Sequence, residues 1–140
     1  ETAGIPYASF LAERLQKPMI YIRKNTKEFG KNQQIEGNFN NKQKAILIED
    51  LATDGKSKII FVDAMRKFNI HVTDIFVIFY YDIFKTSKTS LANLNVKIHY
   101  LCTWKNIIEI IQKNKIISKN EIENLKFFLN EPKKWRQIYE

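Results

Sequence analysis

The sequence predicts an α/β fold, a mainly parallel sheet flanked by helices, and three observations carry that expectation. Apolar strand-like runs alternate with segments of helical spacing, the pattern of parallel strands joined by crossover helices. The run 44–50, KAILIED, is continuously apolar until it ends in two carboxylates, as in a strand buried on both faces. The turn 52–55, Ala-Thr-Asp-Gly, then leads into a helical segment, 56–68.

The other elements follow in order. Residues 7–15 read as a helix after Pro6, with Phe10, Leu11 and Leu15 at helical spacing. A short strand, 19–22, follows Pro18. Residues 24–41 are polar, carry Gly30 and Gly37 and show no sustained period, so they read as a long loop, of a kind that is usually functional or disordered. Strands are expected over 72–81 and 96–102, with a polar connection over 82–95. Residues 104–111 place Ile107, Ile108 and Ile111 on one helical face as core packing. Ser118 with Glu121 three residues on is a capping-box signal for a last helix through Leu129, and Pro132 opposes its continuation. No repeat or interdomain linker interrupts residues 1–140, so a single domain is expected. Residues 1–6 read as a loop entering a helix, and upstream sequence is expected.

Composition narrows the function classes. Of the 140 residues, 44% are hydrophobic, and ten Phe, six Tyr and two Trp can build one sizeable core. The longest apolar run, 75–81, is too short to cross a bilayer, so no membrane partner is expected. Cys102, the sole cysteine, cannot form an internal disulfide; it suits a cytoplasmic protein and is expected to be a small buried residue. The net charge of +8 comes from scattered lysines, with arginine only at positions 14, 23, 66 and 136. Without an arginine-rich stripe interleaved with aromatics, no nucleic-acid partner is expected. His71 and His99 lack a ligand cluster at metal spacing and read as structural or surface histidines. Residues 133–136 read as a frayed, solvated terminus.

The chemistry concentrates at the end of the 44–50 strand. In an open α/β sheet ligands bind beyond the carboxyl ends of strands, where Glu49 and Asp50 fall. Adjacent strand residues face opposite ways, so the two carboxylates need not act alike. The following turn and helix start present backbone N–H groups and a positive dipole end, suited to a phosphate. Thr53 and Ser57 add hydroxyls, and Gly55 permits a tight turn. Simple capping of the helix by Thr53 or Asp54 accounts for the same residues. The Walker A spacing is absent.

Residues 48–57, Ile-Glu-Asp-Leu-Ala-Thr-Asp-Gly-Lys-Ser, resemble the phosphoribosyl-pyrophosphate signature of type I phosphoribosyltransferases. The flanks resemble the orotate phosphoribosyltransferases within that family. Residues 1–8 (ETAGIPYA) look like their loop near pyrophosphate, and 18–30 with 35–37 like their catalytic loop. The segments YYDIF at 80–84 and HYLCTW at 99–104 look like one bacterial branch.

The resemblance implies a Rossmann-like phosphoribosyltransferase domain without the family's amino-terminal hood, a catalytic loop at 24–41 and a phosphoribosyl-pyrophosphate loop at 49–57. It implies transfer of ribose 5-phosphate from phosphoribosyl pyrophosphate to orotate with Mg²⁺ held mainly through the substrate, in pyrimidine biosynthesis. A homodimer sharing the catalytic loop is implied too. Arg23, Lys24 and Lys27 match the cations that face the leaving pyrophosphate, Lys27 being the foremost catalytic candidate with Glu49 and Asp50. Those carboxylates match the residues that hold the ribose hydroxyls. Leu51, Ala52, Thr53, Asp54, Gly55, Lys56 and Ser57 match the substrate-binding turn. Three positions depart from relatives: Ala3 stands where some have a lysine, Phe29 where some have a histidine, and Ile83 where many have an arginine that helps bind the base. Another base, or a non-catalytic module that binds phosphoribosyl pyrophosphate, are the alternatives.

Overall fold

The computed structural model describes residues 2–24, 34–84 and 91–139. Its elements are α1 (Gly4–Leu15), β1 (Tyr21–Ile22), β2 (Ile35–Glu36), β3 (Lys44–Ala52), α2 (Lys56–Lys67), β4 (His71–Tyr80) and β5 (Lys97–Thr103). Three further helices follow: α3 (Trp104–Asn114), α4 (Lys119–Asn130) and α5 (Pro132–Tyr139). The chain divides into two compact units, Glu1–Leu101 and Cys102–Glu140.

The first unit is built on the sheet, whose strand order is β3-β4-β5. β3 and β4 run parallel from Lys44 opposite His71 to Ala52 opposite Tyr80. α2 supplies the crossover, and its Phe61, Val62, Ala64 and Met65 are buried. They join Leu47, Ile75 and Val77 of the strands and Ile70 and Val72 at the entry to β4 in one core. Met65, Ile70, Ile75, Val62 and Val72 are its largest fully buried side chains. Each such burial stabilises by about 1.5–3 kcal/mol. β1 and β2 form a separate antiparallel pair.

Several expectations are corrected. α1 begins at Gly4 rather than residue 7, because Pro6 falls in the first helical turn, where its missing N–H is not needed. The expected loop 24–41 contains β2, whose Ile35 is buried in the core. β3 is not buried equally on both faces: Leu47 and Glu49 are buried, while on the other face Ile46 is 51% exposed and Ile48 half-buried.

The second unit is three helices. α3 opens where Asn106 Oδ1 accepts the N–H and hydroxyl of Thr103, each at 2.9 Å. α4 has the expected capping box: Ser118 N–H donates to Glu121 Oε2 at 2.8 Å, and Glu121 N–H donates to Ser118 Oγ at 3.3 Å. Ile107, Ile108 and Ile111 are half-buried rather than core, as is Cys102. Residues 133–136 are helical, not frayed, since Pro132 starts α5 at the position where proline suits a helix. Trp135 Nε1 donates to Asn124 Oδ1 at 2.8 Å, and its ring meets Phe128 edge-on at 5.3 Å. Among the described residues no helix is long and apolar enough to cross a membrane.

Candidate active site

The parallel register brings the carboxyl ends of β3 and β4 together: Tyr81 N–H donates to Ala52 O at 2.9 Å, just before the turn into α2. Strand alternation separates the two acids, as expected. Glu49 is buried with the core-facing Leu47, and Asp50 is half-buried on the opposite face. Leu51 and Thr53 are half-buried and Ala52 is buried.

Gly55 occupies the N-cap of α2 with φ 80° and ψ −5°, a left-handed conformation that glycine adopts without strain. Neither Thr53 nor Asp54 is the N-cap residue, and the cap carries no side-chain hydrogen bond. Apart from the Lys56 N–H, which the Asp54 side chain takes, the first turn of α2 presents its N–H groups at a point where the helix dipole favours an anion. Asp54 Oδ1 accepts Lys56 N–H at 3.2 Å, and Asp54 Oδ2 lies 3.2 Å from Lys56 Nζ. Desolvation pushes the Asp54 carboxyl up, but the Lys56 backbone and side-chain hydrogen bonds together outweigh it and hold the group below its usual value. Asp54 is thus a carboxylate matched by an adjacent ammonium. Ser57 is half-buried beside them.

Lys58 was not singled out by sequence, yet it joins the two halves of the site. Its Nζ lies 3.3 Å from Glu49 Oε2 and donates to Ser57 Oγ at 3.3 Å. Both charged side chains are almost fully buried, 6% exposed for Lys58 and 9% for Glu49. The available signal was helical spacing: position 58 falls on the same face as Phe61, Val62 and Met65, an unusual place for a lysine.

Arg23 is built into the β1–β2 pair. Its Nε donates to Glu36 Oε1 at 3.0 Å, its terminal nitrogen donates to Tyr21 Oη at 2.8 Å, and its N–H donates to Gln34 O at 2.8 Å. Lys24 is exposed. Lys27 and Phe29 lie outside the described residues. Asp82 adopts a left-handed φ of 55° just past β4, and Ile83 after it is half-buried.

A cavity of about 490 Å³ opens between α1 and β3, lined by Gly4, Ala8, Leu11, Ile46, Ile48 and Glu49 among others. It reaches Glu49 but not Asp50 or the turn 53–57. Its walls are largely aliphatic, so the chemistry stays with the turn. Among the described residues no cluster of three His, Cys, Asp or Glu side chains could hold a metal ion.

No family model matches the chain. Curated relatives do. The chain is 42% identical over 137 residues to a Ruegeria protein named orotate phosphoribosyltransferase, covering 98% of this chain and 61% of that one. An Agrobacterium fabrum protein of the same name is 43% identical over 135 residues, covering 96% and 58%. The chain thus spans about 60% of the length of these relatives. The crystal structure of orotate phosphoribosyltransferase from Aeropyrum pernix superposes with a TM-score of 0.67 at 26% identity, over 79% of this chain and 60% of that chain. The Leishmania donovani UMP synthase structure superposes at 0.77 with 22% identity, over 94% and 28%. The resemblance read from the motifs therefore holds along nearly the whole chain, and the fold is that of the type I phosphoribosyltransferases.

Proposed function

We propose that this chain carries the phosphoribosyl-transfer site of an orotate phosphoribosyltransferase, forming orotidine 5′-phosphate and pyrophosphate in pyrimidine biosynthesis. The observation that carries the reading is identity of about 40% to proteins of that name over 96–99% of the chain. That span includes the glycine-capped turn after β3.

In this reading a ring nitrogen of orotate bonds to the anomeric carbon of phosphoribosyl pyrophosphate and gives up its N–H proton to the departing pyrophosphate. The carbon–oxygen bond to pyrophosphate breaks, and pyrophosphate departs with the electron pair. The turn 53–57 holds the 5-phosphate through N–H groups and the hydroxyls of Thr53 and Ser57, with Thr53 nearest the base. Asp50 and Glu49 hold the ribose hydroxyls and offset positive charge developing on the ring. Arg23, Lys24 and Lys27 face the leaving pyrophosphate, where fixed cations lower the barrier because they need no reorganisation. Glu49 is paired with Lys58 at 3.3 Å. Mg²⁺ would be held mainly through the substrate rather than by these side chains, and would supply charge neutralisation for the leaving group. A cytoplasmic homodimer that shares residues 24–41 completes the reading.

Mixing the protein with orotate, phosphoribosyl pyrophosphate and Mg²⁺ tests it, using the chain alone and the chain joined to the upstream region of the Ruegeria relative. Orotate-dependent pyrophosphate release by either is the expected result. Release with a different base instead moves the assignment within the fold, a reading favoured by Ile83 in place of the family arginine. No release by either folded version leaves a binding module. In an active version, Lys27→Ala is expected to lower kcat by about 10²–10³-fold with the fold unchanged. Near-normal turnover would remove Lys27 from the mechanism.

A further inference from the structure

We propose that Lys58 and Gly4 form a two-sided clamp that fixes the direction of the Glu49 carboxylate, with Lys58 a positioning residue rather than a substrate contact. The inference rests on the sugar-binding role of Glu49 given above. It starts from a buried ammonium that the reaction itself does not require.

Lys58 stands on the buried face of α2, where an apolar side chain of similar volume would pack without a charge to satisfy. A buried ion pair is a poor source of stability beside such a replacement, because removing both charges from water offsets most of their attraction. Directionality is what the pair adds. The Lys58 ammonium holds Glu49 Oε2 at 3.3 Å and donates to Ser57 Oγ at 3.3 Å. The carboxylate is thereby tied to the hydroxyl of the turn that receives the phosphate.

Gly4 closes the other side. A Cβ added there would lie 3.0 Å from Ile48 O, 3.2 Å from Glu49 Cα and 3.3 Å from Glu49 Cδ. Two of those contacts are with backbone atoms, which cannot swing away, so α1 approaches the end of β3 this closely only with glycine. The Glu49 side chain is thus bounded by α1 on one side and by the Lys58 ammonium on the other. A ligand hydroxyl would then meet a carboxylate already aimed, which lowers the entropy lost on binding.

The test compares two probes on the full chain, inorganic phosphate for the turn and ribose 5-phosphate for the turn plus the sugar site, followed by NMR shift titration. Lys58→Met is expected to weaken ribose 5-phosphate about tenfold relative to inorganic phosphate, the scale of a misplaced binding group. Lys58→Arg should recover most of the difference. Gly4→Ala approaches the same carboxylate from α1 with Lys58 left in place, and should show the same selective loss. It decides the matter if Lys58→Met does not fold. Ribose 5-phosphate affinity within twofold of the unaltered chain in Gly4→Ala or folded Lys58→Met overturns the clamp. Equal weakening of both probes overturns it too, since that marks a general structural role. Failure of the unaltered chain to bind ribose 5-phosphate would instead sink the sugar-site reading, and the clamp with it.

Discussion

All the buried apolar side chains of the described residues lie in Glu1–Leu101, whereas the helices of Cys102–Glu140 bury none. The first unit is held by a shared core around a parallel pair of strands. The second is held along its chain, by a capping box on α4, the Thr103–Asn106 contacts on α3 and the rings of Phe128, Trp135 and Tyr139. The candidate site sits entirely in the unit with the core. A site that must hold two carboxylates and a phosphate turn in fixed geometry needs rigid elements behind it, and packed strands supply that.

This contrast can be broken most directly in the core. Met65→Ala removes a side chain only 2% exposed and is expected to cost about 2–5 kcal/mol in chemical denaturation. A cost below 1 kcal/mol would mean that the core is not the chief support of the first unit. In the helical unit the matching change is Ser118→Ala, which removes the N-cap of α4 and is expected to cost about 1 kcal/mol. Helicity lost locally on hydrogen exchange, with the sheet amides unaffected, is the expected signature. Equal loss of protection in β3 and β4 would show that the two units unfold as one.

The smallest expected effect is on pH dependence, to which, beside Asp54 in the turn, Asp74 contributes in the first unit and Glu121 in the second. Asp74 is held below its ordinary value of 3.8 by hydrogen bonds that it accepts, the larger from the His99 ring and the next from the Thr73 hydroxyl. Glu121 is held below 4.5 by the Ser118 hydroxyl and backbone N–H. A depressed carboxyl binds fewer protons folded than unfolded, so its stabilisation is full above the ordinary value and is lost as pH falls below it. Asp74→Asn should flatten the acid limb for the sheet, and Glu121→Gln for the helices, in denaturation followed from pH 6 to about pH 3. Unchanged limbs would show that these exposed pairs are screened out by solvent.

Local pattern made much of this legible. β3, α2, β4, β5, α3 and α4 lie within a few residues of their expected bounds because period and turn chemistry are written in neighbouring residues. The Glu49–Ser57 element was legible for the same reason, as a contiguous run. The two departures at prolines share one cause. α4 does stop at Asn130, ahead of Pro132, but the expectation of a frayed 133–136, like that of a helix starting only after Pro6, overlooks that proline is tolerated in a first turn, which only the surrounding backbone reveals. Ile107, Ile108 and Ile111 were assigned to a core that periodicity can suggest but not locate.

By itself the sequence determined the α/β class, the separation of Glu49 and Asp50 onto opposite faces, and the glycine turn into α2, all of which follow from φ/ψ preferences and spacing along one stretch of chain. Only the tertiary structure decided that Ile35 returns to pair beside Tyr21 and Ile22, that Gly4 closes on the end of β3, and that Lys58 meets Glu49. Those contacts join residues that are 9 to 45 positions apart in the chain. A buried ammonium finds its carboxylate only once the helix is laid on the strand, because desolvation penalises it everywhere else.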